Sequence, residues 1–138
     1  MKKVIVIFGV FSSAVLFGQK SEEFVKINYN SICCGTPSVD PVINYIENFK
    51  KFNNTKKVEV YKQPGLGREG EFRLYVGASC LPKAKKSKFW NGLESTINAQ
   101  NKSRNTGSDG MVELLLSEPV KKESLKEINN LILYKKEK

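Results

Sequence analysis

The sequence predicts an α+β fold in the order strand, helix, strand, strand, helix, strand, on three observations. Apolar and polar residues alternate over Glu23–Asn30, Val58–Tyr61, Phe72–Val76 and Met111–Leu116, the period of half-buried strands. Two longer stretches, from Pro41 and from Pro82, carry apolar residues at spacings of three and four, the period of a helix lying on a sheet. Turn formers stand at the junctions between them. That order is the ferredoxin-like split βαβ pattern: two crossovers give a four-stranded antiparallel sheet ordered 4-1-3-2, with both helices on one face and a C-terminal helix added. The rival is another α+β sandwich in which the last helix covers the open face of the sheet.

The first strand sets Val25, Ile27 and Tyr29 against Phe24, Lys26 and Asn28. After Ser31-Ile32-Cys33-Cys34-Gly35-Thr36-Pro37-Ser38, Asp40 is the expected N-cap and Pro41 the first helical residue. Val42, Ile43, Ile46, Phe49 and Phe52 form the stripe of this helix, and Asn53-Asn54-Thr55 stops it. The second and third strands make a hairpin whose tip, Gly65-Leu66-Gly67-Arg68-Glu69-Gly70, spells G-x-G-x-x-G. A strand follows it where a dinucleotide site needs a helix, so it reads as a glycine-rich turn. The second helix, Pro82 to about Gln100, aligns Phe89, Trp90, Leu93 and Ile97, and Gly92 suggests close approach to the sheet. Lysines 83, 85, 86 and 88 oppose the dipole at its start, so fraying is expected there. Asn98–Gly110 reads as a mobile loop, Pro119 as the end of the fourth strand, and Leu125, Ile128, Leu131 and Ile132 as a final helix.

Met1-Lys2-Lys3, an apolar run to Phe17 and the small residue Gly18 have the shape of a secretory signal peptide over residues 1–18. The run is shorter than the roughly 20 residues a spanning helix needs. Residues 19–134 then form one α+β domain, followed by a charged tail over 135–138. The expected location is periplasmic or secreted. The formal charge of the 138-residue chain is +9, and Lys2 and Lys3 are the only charged residues of the leader. Such a surface attracts acidic proteins, anionic envelope components or nucleic acid, the last being the least expected for an exported chain. The chain has no histidine, which excludes Ser-His-Asp and Cys-His catalysis and every histidine-containing metal site. No carboxylate pair stands at a recognisable catalytic spacing either, and a non-enzymatic role is expected.

The three cysteines, Cys33, Cys34 and Cys80, leave one thiol over if a bridge forms. In the expected topology Cys33 and Cys34 lie at one edge of the sheet and Cys80 at the opposite edge. A strand of five or six residues, roughly 17 Å, separates them, so no bridge to Cys80 is expected. Adjacent thiols between the first strand and first helix resemble the site of metal-carrying domains in copper chaperones and metal-transporting ATPases, which implies Cu(I) or Zn(II) on Cys33 and Cys34. That family has Cys-x-x-Cys after a methionine, and Ser31-Ile32-Cys33-Cys34 has neither feature. Three readings stay open: soft-metal binding, a vicinal disulfide or redox couple next to a helix N-terminus, or one cysteine buried as a small hydrophobe and the other idle or bridged.

The topology also brings three loops to one edge: Cys33–Ser38, Gly65–Glu71 and Lys102–Gly110. Gly35, Thr36 and Ser38 before a helix offer N–H groups and hydroxyls to an anion, and Arg68, Lys102 and Arg104 can converge on them. The leading expectation is therefore an exported basic binding module that uses Cys33, Cys34, Gly35, Thr36, Ser38, Arg68, Lys102 and Arg104. The alternative is a thiol redox or soft-metal protein using Cys33 and Cys34.

Overall fold

A computed structural model describes residues 21–136. The expected signal peptide and the last two residues of the charged tail lie outside the described residues. The elements are β1 (Glu23–Tyr29), α1 (Asp40–Phe52), β2 (Glu59–Gln63), β3 (Phe72–Gly77), α2 (Lys83–Ser103), β4 (Val112–Lys121), α3 (Lys122–Leu125) and β5 (Ile132–Leu133). The fold is α+β, with one antiparallel sheet ordered β4-β1-β3-β2-β5. The sheet has five strands where four were expected, because β5 pairs with β2 through Lys62–Ile132 and Tyr61–Leu133.

Alternation decides the two faces. Ile27 and Tyr29 of β1, Val60 of β2, Phe72, Leu74 and Val76 of β3 and Val112 of β4 are buried in one cluster with α1 and α2. Both helices therefore cover the same face, and α1 contributes Val42, Ile43, Ile46 and Phe49 while α2 contributes Phe89, Leu93 and Ile97. Tyr45 fixes how the helices meet: its hydroxyl donates to the Phe89 carbonyl at 2.9 Å, and a Cβ at Gly92 would collide with its ring. Gly92 thus makes room for α1, not for the sheet.

The C-terminal segment departs most from expectation. Its helix is one turn, Lys122–Leu125, and Asn130 then takes a positive φ of 61°, a conformation asparagine tolerates. The chain turns back to form β5. Leu125 packs with Phe24 and Tyr75, and Ile128 and Leu131 lie against them, so this segment shields part of the open sheet face. The rival had the last helix cover that face; only one turn of this helix forms, and Leu125 is its contact there.

Pro119 does not end β4. Leu115 pairs with Lys26 and Val120 with Phe24, so Leu116–Pro119 bulge out opposite Val25 alone. A proline in a bulge of an edge strand forfeits no ladder bond. Helix α2 runs on to Ser103, through half of the expected loop. Its last turn is held from both sides: Gln100 Nε2 donates to the Ser38 carbonyl at 2.7 Å, and the Asn101 amide bonds both backbone groups of Val112.

Candidate functional site

The chain leaves β1 at Asn30, whose N–H donates to the Met111 carbonyl at 3.1 Å. Gly110 lies so close to this crossing that a Cβ there would overlap the Asn30 carbonyl. Cys33 Sγ sits 3.9 Å from the Ser108 carbonyl oxygen. The Cys33–Ser38 segment and the 104–110 loop thus form one surface. The hairpin tip joins it through a cavity of about 350 Å³ lined by Asn30, Ser31, Leu66, Glu71, Phe72 and Arg73, with Asn28 below.

Cys33 and Cys34 are exposed and joined to each other in a disulfide. This corrects the reading in which one of them is buried. As a disulfide the two sulfurs are not thiolates, so a soft ion could be held only after reduction. Gly35 follows with φ 104°, a backbone that a residue with a Cβ adopts only under strain, and it turns the chain toward α1.

Asp40 is the first helical residue and Val39 the N-cap, which corrects the expected cap. Ser38 Oγ accepts the Asp40 N–H at 3.1 Å, Pro41 has no N–H, and the Ile43 N–H bonds back to Val39. The first turn therefore has little left to offer an anion. Thr36 is half-buried beside it. Of the three expected cations, Arg104 is turned into its own loop, where Nη1 donates to the Asp109 carbonyl at 3.0 Å. Lys102 belongs to the last turn of α2, where a cation suits the helix dipole. Arg68 is exposed at the hairpin tip, and neither it nor Lys102 forms an ion pair among the described residues. Two carboxylates at this edge are likewise used inside turns, since Glu71 accepts from the Glu69 N–H and Asp109 from the Asn105 N–H.

Sequence reasoning missed a polar chain across the open face. Asn28 donates to Glu113 at 3.2 Å, Arg73 Nε donates to Asn28 Oδ1 at 2.6 Å, and the Tyr75 hydroxyl donates to Gln63 at 2.9 Å. Arg73 also reaches the Tyr75 oxygen at 3.5 Å and has further donors to spare. The register Asn28–Arg73 was the available signal, since directly opposed residues of antiparallel strands share a face. Beside Arg73 on the cavity wall, the Ser31 hydroxyl is buried without a partner among the described residues. Leu66, 44% exposed, lines the cavity, and Ile32, 56% exposed, follows Ser31 in the chain.

No family model, curated protein or solved structure matches this chain. What the edge can do rests on its own residues.

At the opposite edge Cys80 is exposed and unpaired, as the expected topology requires. Its thiol donates to Glu22 Oε1 at 3.3 Å, and that carboxylate, held below its ordinary range by Lys122, pushes the thiol pKa up. The paired cysteines cannot react, so iodoacetamide should label one thiol in the native protein and all three after reduction in denaturant, read by intact mass. Cys80 should react more slowly than a free thiol at pH 8, and Glu22→Gln should speed it, because the thiolate is then formed at lower pH.

Proposed function

We propose that this is an exported binding module, not an enzyme, built on a ferredoxin-like split βαβ core with β5 added at one edge. Its loop edge receives an acidic protein or an anionic envelope component. The core reading is supported by the order β4-β1-β3-β2 of the longer strands. Export is supported by the leader-like start of the sequence and by a Cys33–Cys34 disulfide, which an oxidising compartment preserves.

The observation that carries the binding reading is the cavity between the β1 exit and the hairpin tip. There Arg73 has spare donors and Ser31 an unused hydroxyl, with Leu66 exposed on the lining. A carboxylate entering it gains charge-assisted bonds, and the unpaired Arg68 at the hairpin tip and Lys102 at the end of α2 add to the positive field that steers it. The chain should bind a fluorescent polyglutamate peptide, with affinity falling as salt rises. Arg68→Glu combined with Lys102→Glu should weaken binding by about tenfold or more. Both residues are exposed, so the fold is kept, and undiminished binding in the double variant sinks the reading.

The exposed Cys33–Cys34 bond favours a second reading, a thiol redox couple that a dithiol donor protein reduces and an oxidant restores. A bond that dithiothreitol opens only when the protein is unfolded would eliminate it.

A further inference from the structure

We propose that the outer edge of β4 takes up an extended peptide of alternating apolar and basic residues, docked antiparallel by main-chain hydrogen bonds at Leu114 in the groove between β4 and α2. This surface is separate from the loop edge.

Among the described residues, β4 ends the sheet and pairs only with β1. The bond from the Asn30 N–H to the Met111 carbonyl fixes which groups face β1. Met111, Glu113 and Leu115 exchange bonds with it, so by alternation Val112 and Leu114 turn their N–H and C=O outward. At Val112 both outward groups are met by one side chain: Asn101 Nδ2 donates to the carbonyl at 2.8 Å, and Oδ1 accepts the N–H at 3.0 Å. A side-chain amide there stands in for the backbone of a neighbouring strand. At Leu114 no side chain does so among the described residues.

Beside Leu114 a groove of about 360 Å³ separates β4 from α2, lined by Glu94, Ile97, Asn98, Met111, Leu114 and Glu113 among others. Ile97, Met111, Val112 and Leu114 are its apolar lining, set among three asparagines. Its charged residues are the carboxylates Glu94 and Glu113, in a chain whose formal charge is +9.

A strand laid on this edge presents alternate side chains to α2 and to the open face. Apolar residues then meet Ile97 and Leu114, while basic residues on the other face come beside Glu113, and Glu94 at the rim favours a cation. A second copy of β4 is a poor occupant, because it would bring its own Glu113 and Glu118 against these carboxylates. Its bulge, with a proline that lacks an N–H, would also interrupt the ladder.

The probe is a fluorescein-labelled peptide of alternating valine and lysine, followed by anisotropy with the intact protein. Directly opposed residues of antiparallel strands share a face, so the valines pair with Leu114 and their nitrogens face β4. Methylating the valine nitrogens should weaken binding by at least about tenfold, and methylating the lysine nitrogens should leave it within about twofold. Glu94→Lys, on an exposed helical position, should also cost about tenfold, while Glu127→Lys, the same charge change on the exposed C-terminal segment, leaves affinity within about twofold. The proposal is overturned if the parent peptide does not bind, if the two methylated peptides bind alike, or if Glu94→Lys binds normally. Sedimentation of the protein as a dimer that the peptide dissociates would assign the edge to a second copy and overturn it as well.

Discussion

Gly110→Ala is expected to lower stability by about 3 kcal/mol, the top of the range for overpacking a filled site. Gly110 is buried where the entry to β4 crosses the exit from β1, and a Cβ would overlap the Asn30 carbonyl and lie 3.0 Å from the Ser31 Cα. The obstacle is backbone, which cannot rotate away as a side chain does. Asn30 cannot retreat either without breaking its bond to the Met111 carbonyl. For a chain of this length the melting temperature should fall on the order of 10 °C. Amide exchange should quicken at Asn30, since the added methyl separates the two segments that form the loop edge. Gly107→Ala is the control: the nearest atom to a Cβ there is the flexible Asn105 side chain at 3.6 Å, and the effect should stay within about 0.5 kcal/mol. A loss at Gly110 no larger than that of the control would mean that the crossing is not held as tightly as its geometry indicates.

The strands and helices were legible where burial imposes a period. β1 and β3 alternate because each is buried on the helix face, and α1 is marked by Pro41 and by Val42, Ile43, Ile46 and Phe49. Phe52 extends that stripe by spacing, yet it is 86% exposed: at about 100° per residue it falls off the face that Val42, Ile46 and Phe49 share, at the point where the helix ends. The C-terminal segment misled for a related reason. Leu125, Ile128 and Leu131 have helical spacing, but the same spacing serves a single turn and a bend wrapped over Phe24 and Tyr75. Asn129-Asn130 interrupts that spacing, and Asn130 takes the positive φ that turns the chain back. The end of α2 was unreadable for the opposite reason: Gln100 and Asn101 are polar, and they hold the helix by bonding to Ser38 and Val112, contacts that have no period.

At the site, the meeting of the Cys33–Ser38 segment with the loop after α2 followed from topology, but the chemistry did not. Whether Arg104 faces a ligand or the Asp109 carbonyl depends on the path of one loop, and no spacing encodes it. By period alone Arg73 is only the polar half of a strand, whereas its register with Asn28 sets it on the cavity wall. The sulfur was undecided for a similar reason. Bonding adjacent cysteines requires the turn that ends at Gly35, and a glycine there permits that turn without dictating it.

Asn101→Leu should cost about 2–4 kcal/mol although it nearly conserves volume. The leucine leaves the N–H and C=O of Val112 without partners, and Val112 is 1% exposed. Each orphaned group costs roughly 1–3 kcal/mol, and water reaching the rim of the groove lowers the total toward the bottom of that sum. Asn101→Asp separates the two bonds. An ionised aspartate still accepts the Val112 N–H but sets a second oxygen against the carbonyl, so the folded state favours the protonated acid and raises its pKa above the unfolded value. Stability linked to a raised pKa is present in acid and lost as pH rises through the folded pKa. The gap between Asn101→Asp and the parent protein should therefore narrow as pH falls from 7 to 4, whereas the gap for Asn101→Leu should not change. Melting curves across that range measure both. A flat gap for the aspartate variant would show that the carbonyl bond carries no weight. In that case Asn101 holds the polar end of α2 against β4 through the Val112 N–H alone, and the Val112 carbonyl would join the free groups of the edge that begin at Leu114.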